Sequence, residues 1–147
     1  MNRINLICLG VKSIAKSLAF YKSIGFKTYE NNNDAPIVFF DNEGTKLSLY
    51  PIEELAKDID NENPPKISSG GFGGVTLACN FKSEKEVDDY VELVKKSGGK
   101  VVKQPQKVFW GGYSGYFQDP DGYYWEVAYG PMFKFDQNNM IIVESIN

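Results

Sequence analysis

Apolar runs, helical repeats and polar turns recur in the same order in the two halves of this chain. In the first half, Ile4 to Val11 is apolar and partly β-branched, which predicts a buried strand thinned near its end by Gly10. Ser13 is placed to cap a helix, and Ile14, Leu18 and Tyr21 recur at helical spacing until Gly25 stops it. Phe26 to Glu30 reads as a short strand, and Asn31 to Asp34 as a polar turn. Ile37 to Phe40 and Lys46 to Tyr50 read as two strands joined by the turn Asp41-Asn42-Glu43-Gly44. Pro51 to Ser69 breaks the pattern. Ile52 to Ile59 can form a short helix, but Pro64-Pro65 and the polar residues around them read as connector.

The second half repeats this order. Val75 to Phe81 predicts a strand, and Ser83 caps a helix from Glu84 to Ser97 whose Val87, Tyr90, Val91 and Val94 share a face. Gly98-Gly99 ends that helix. Lys100 to Lys103, Tyr113 to Gln118 and Tyr123 to Tyr129 follow as strands, the last two around Asp119-Pro120-Asp121-Gly122. A shift of about 78 residues lays Phe39 on Phe117, Asp41 on Asp119 and Gly44 on Gly122. A shift of about 68 lays Leu6–Gly10 on Gly74–Ala78. Strand, helix, hairpin and turn repeating in sequence argue for a duplicated unit. The predicted class is α+β, with two tandem βαβββ modules in one domain over residues 1–131. Module one spans 1–60, the connector 61–73 and module two 74–131, followed by a tail at 132–147.

Three stretches carry a resemblance. They are Leu9 to Tyr21 closing with Ile24-Gly25-Phe26, Gly73-Gly74-Val75-Thr76-Leu77, and Trp110 to Glu126 with its Asp-Pro-Asp-Gly turn followed four residues later by Glu. On these the chain resembles the vicinal-oxygen-chelate superfamily of glyoxalases, bleomycin-resistance proteins and dioxygenases. The resemblance implies two modules whose sheets curve into a cup that holds a small molecule. It also implies four metal-ligand positions, at Leu6 (or its neighbour Asn5), Ser48, Gly74 and Glu126. Only Glu126 matches the expected chemistry, because one carboxylate and one hydroxyl do not hold a divalent ion. No metal and no other cofactor is therefore expected. By the same resemblance, Ser114 and Tyr116 face the ligand. Strand alternation adds Glu126, and Ser48 and Tyr50 from module one, while Trp110 lies in the loop before Ser114. Trp110 and Tyr116 are equally readable as packing aromatics. Glu126 is the best candidate for a catalytic group, with Lys46 as a candidate ion-pair partner, and Trp125 is expected to pack under a helix.

Composition narrows the function further. The chain has 147 residues, no histidine and a net charge of −3. The absence of histidine removes the commonest general base at neutral pH. Net negative charge argues against nucleic acid and anionic membranes as partners, and no apolar run is long enough to span a bilayer. Cys8 and Cys79 lie in strand-like runs and read as reduced thiols, which with the strand-like N-terminus points to the cytoplasm. Two classes of function follow. One is a metal-free binding protein, a homodimer that holds an aromatic or cationic ligand. The other is a metal-dependent lyase, isomerase or dioxygenase with an atypical ligand set. A metal-free enzyme using Glu126 as base remains a third.

Overall fold

The computed structural model describes residues 1–145, so the last two residues of the expected tail, Ile146 and Asn147, lie outside the described residues. The chain is α+β, and its contacts divide it into two units. The first comprises residues 1–74 with the turn 120–122, and the second residues 75–119 and 123–145.

In the first unit, β1 (Leu6–Val11) leads into α1 (Ile14–Ser23), then β2 (Val38–Phe40), β3 (Lys46–Pro51) and α2 (Ile52–Ile59). The sheet order is β1-β3-β2, with β1 parallel to β3 and β2 antiparallel to it. Ser13 caps α1 by accepting from the Lys16 N–H at 3.3 Å. Tyr21 of α1 is fully buried, and its ring meets Phe40 and Phe26 at centroid distances of 5.7 and 5.5 Å. Phe40, Leu47, Leu49 and Val38 therefore face α1, and Cys8, Gly10, Phe39, Ser48 and Tyr50 occupy the opposite face.

In the second unit the elements are β4 (Leu77–Phe81), α3 (Glu84–Lys96), β5 (Lys100–Lys107), β6 (Tyr113–Gln118) and β7 (Tyr124–Tyr129). A small hairpin, β8 (Lys134–Phe135) with β9 (Ile141–Ile142), follows. The main sheet has the order β4-β7-β6-β5, with β4 parallel to β7. Ser83 caps α3 through the Glu86 N–H, and Glu86 reaches back to the Lys82 N–H at 2.7 Å. Val87, Val91 and Val94 bury one face of α3. The expectation for Trp125 holds, because it lies buried and stacked on Phe117, on the sheet face that α3 covers.

The duplication is visible in topology: first and last strands pair in parallel in both units, with the hairpin partner beyond. Three expectations need correction. Residues 26–30 form no strand. They occupy the place corresponding to β5, but the Thr28 hydroxyl donates to the Phe39 carbonyl at 2.7 Å and Glu30 turns the chain by accepting from Asn31 and Asn32. Side-chain bonds thus replace the strand ladder. Second, β5 is longer than Lys100 to Lys103. It is an edge strand, so it tolerates Pro105 and carries two register shifts. Third, Ser48 pairs with Phe39 while Glu126 pairs with Tyr116, so the first hairpin is one residue shorter. Phe40, not Phe39, is the counterpart of Phe117. Both are buried, whereas Phe39 is 54% exposed.

Candidate functional site

The Asp119-Pro120-Asp121-Gly122 turn does two separate jobs. Asp119 closes it: the Tyr123 N–H donates to its carboxylate at 2.9 Å and its own N–H to the Tyr123 carbonyl at 3.0 Å. Gly122 supplies the positive φ of 89°. That leaves Asp121 for a different role. It accepts from the Lys12 N–H and from the Ser17 hydroxyl, each at 2.8 Å. Ser17 is fully buried on α1, so the turn is anchored to the first unit at the start of its helix.

The turn feeds β7, and its alternation sets the site. Cys79 of β4 lies beside Val127 and hydrogen-bonds Tyr90 of α3, so Val127 and Trp125 point at the helix. Glu126 points the other way. Across the sheet it lies between Ala78 on β4 and Tyr116 on β6, and the Tyr116 hydroxyl donates to its carboxylate at 2.8 Å. Lys103 on β5 completes the row, because a register shift after Val101 brings Lys103 rather than Val102 opposite Tyr116. Its ammonium sits 5.7 Å from the Tyr116 ring centroid. Ser114 shares this face, one pair along, opposite Ala128, and is buried.

Two chemical consequences follow. Loss of solvation raises the Tyr116 phenol above its ordinary value, and the adjacent Glu126 carboxylate adds to this through the hydrogen bond and through its charge. Tyr116 therefore stays a protonated donor to Glu126. On the helix side, burial pushes the Cys79 thiol up to about 11, so it is a poor nucleophile. Tyr90 beside it is raised too, chiefly by burial.

The remaining candidates are distributed differently. Trp110 lies against Gly112, where a Cβ would come within 1.8 Å of its ring, and packs on Phe133 at 5.9 Å between centroids. It ties the segment after β7 to the loop before β6. Ser48 and Tyr50 share the face of β3 opposite α1, as alternation predicted. Ser48, between Cys8 and Phe39, is fully buried and its hydroxyl has no hydrogen-bond partner among the described residues. Part of that face is covered by α2: a Cβ on Gly10, next to Tyr50, would meet the Ile52 Cγ1 at 2.8 Å. The glycine is there for this close approach. Lys46 pairs with Asp41 at 3.2 Å, which corrects the candidate Lys46–Glu126 pair; Tyr116 is the bond that Glu126 makes.

Of the four positions for metal ligands, Leu6 and Gly74 carry no side-chain donor atom, and Gly74 precedes β4 at a φ of 84°. Ser48 offers a buried hydroxyl and Glu126 one carboxylate already engaged by a phenol. Among the described residues no three His, Cys, Asp or Glu side chains come together as a metal-binding group. The donor set does not fit a divalent ion. Both cysteines are free thiols, and no helix among the described residues is long and apolar enough to cross a membrane.

Comparison with known proteins agrees with this architecture. The model of the Glyoxalase/Bleomycin resistance protein/Dioxygenase superfamily matches residues 3–127, and the chain belongs to that superfamily. A glyoxalase-related enzyme from Fulvimarina pelagi is similar over 99% of this chain and 100% of its own, at 25% identity and a TM-score of 0.84. A hypothetical protein from S. aureus matches 88% of this chain and 94% of its own, at 26% identity and a TM-score of 0.69. A lactoylglutathione lyase from Agrobacterium tumefaciens shares the fold at 23% identity and a TM-score of 0.67, over 92% of this chain and 99% of its own. A search of the curated proteins finds no match.

Proposed function

We propose that this chain binds a small molecule without a bound metal, at the face of β6 and β7 that carries Tyr116 and Glu126. The observation that carries the reading is the Tyr116–Glu126 hydrogen bond at the one family position that keeps a ligand-type residue. A carboxylate held by a phenol, beside an aromatic ring face, suits a cationic aromatic ligand. Ser114, buried on this face, helps to set its shape, while Trp110 acts by packing. Ser48 and Tyr50 are candidates on the first unit's own sheet, Ser48 as a shape-setting residue because it is buried. Binding rather than catalysis is favoured, since no nucleophile–base pair accompanies Glu126. A cytoplasmic homodimer is part of the same proposal, supported by two free thiols and by exposed sheet edges that symmetric pairing would cover.

The test is calorimetric titration of benzylamine and benzamidine into metal-stripped protein and into Glu126→Gln. Binding without metal, lost on substitution, supports the reading; binding that needs an added divalent ion overturns it. A second reading, metal-assisted lyase, isomerase or dioxygenase chemistry, draws on the likeness to the glyoxalase-related enzyme from Fulvimarina pelagi. It requires water or further residues, such as Asn5 with Glu126, to complete a metal site.

A further inference from the structure

The row across the second unit's sheet has opposite charges at its two ends. Glu126 on β7 and Lys103 on β5 flank Tyr116 on β6, two strand spacings apart, or about 10 Å between backbones. Among the described residues the Lys103 side chain forms no ion pair and no hydrogen bond, and the Glu126 carboxylate accepts one hydrogen bond, from Tyr116. The Tyr116 hydroxyl spends its proton on Glu126, so the phenol presents only acceptor capacity to anything else. The Glu126 end therefore offers acceptors alone, and the Lys103 end offers donors alone. A solvated edge-strand lysine would need no partner. This one, however, is brought opposite Tyr116 by a register shift, is only partly exposed, and lies near the ring.

From this polarity we propose that the site takes a bipolar ligand, with a cationic donor group at Glu126, a flat segment over Tyr116 and an anionic group at Lys103. The inference rests on the binding reading above and deepens it by naming the ligand class. A monocation would meet Glu126 but leave Lys103 unused. A monoanion would meet Lys103 and face the Glu126 carboxylate.

Three probes test it: 4-(aminomethyl)benzoate, which carries both charges, benzylamine and benzoate. Each is titrated calorimetrically into wild type, Lys103→Gln and Glu126→Gln. In wild type the bipolar probe should bind about two- to fivefold tighter than benzylamine, the range an exposed ion pair supplies. Lys103→Gln should abolish that preference while leaving benzylamine affinity unchanged or slightly improved. Glu126→Gln should weaken both amines. If benzylamine binds but the bipolar probe has no advantage, or keeps its advantage in Lys103→Gln, the bipolar assignment is overturned and the binding reading stands. If neither amine binds wild type, both fall. Melting curves of Lys103→Gln unchanged from wild type confirm that the loss is in binding and not in folding.

Discussion

Replacing Asp121 with alanine should destabilise the protein through two named bonds. The carboxylate accepts from the Ser17 hydroxyl and the Lys12 N–H, each at 2.8 Å. Ser17 is fully buried, so without its acceptor the hydroxyl loses a charge-assisted bond worth about 1.5–3 kcal/mol and cannot recover it from water. The Lys12 N–H is exposed and can turn to water, which limits its share to about 0.5–1 kcal/mol. The sum is about 2–4 kcal/mol, or a fall in Tm of about 5–15 °C for a domain of this size. The turn itself should survive, because Asp119 closes it independently. Urea denaturation should show a lower midpoint with an unchanged m-value. Ser17→Ala in the Asp121→Ala background removes the orphaned hydroxyl and should recover about 1–2 kcal/mol, a non-additivity readable in a double-mutant cycle. Stability of Asp121→Ala within about 0.5 kcal/mol of wild type, or additive effects of the two substitutions, would refute the argument.

Other substitutions probe the first unit and the assembly. Gly10→Ala should cost about 1–3 kcal/mol by overpacking, since its Cβ would lie 2.8 Å from Ile52 Cγ1, and Ile52→Ala in the same chain should recover part of the loss in a thermal melt. An unchanged melting temperature for Gly10→Ala would mean that α2 does not pack there. Ser48→Ala should leave unfolding stability unchanged or raise it by up to about 1 kcal/mol, because it removes a buried hydroxyl without a partner; a loss of more than about 1 kcal/mol in urea would show that the hydroxyl is bonded. Light scattering at micromolar concentration should return twice the chain mass, and a clean monomer mass contradicts the proposed dimer.

Much of this architecture was legible because hydrophobic period, caps and turns agree. Ser13 and Ser83 cap their helices as expected, and Gly122 takes the positive φ that its turn requires. The alternation that set Trp125 against Glu126 also held, since burial of one face leaves strand parity no freedom. What was not legible depends on pairing between distant strands. Sequence offset alone aligned Phe39 with Phe117, and only the ladder shows the one-residue difference. The place of Lys103 in the row with Tyr116 and Glu126 was missed for the same reason: the register shift that sets it opposite Tyr116 has no local signature. Gly10 looked like a weak point in a strand until Ile52 was seen against it. The partners of charged groups were the least legible of all. Lys46 had an acidic neighbour in its own hairpin, and Asp121 bonded a helix more than a hundred residues away in sequence.

The claim on which the account rests is that Glu126 serves ligand binding without a metal. Titration of benzylamine into metal-stripped wild type and Glu126→Gln, with melts of both proteins, tests it most directly. The account predicts binding to the stripped wild type and a loss of affinity of about tenfold in the mutant, equal to about 1.4 kcal/mol. The melting temperature should stay within about 3 °C, because glutamine still accepts from Tyr116 and the site is partly exposed. Binding that appears only with one equivalent of a divalent metal, or a mutant that melts far lower while keeping its affinity, would contradict it and leave Glu126 as a ligand to metal or as part of the scaffold.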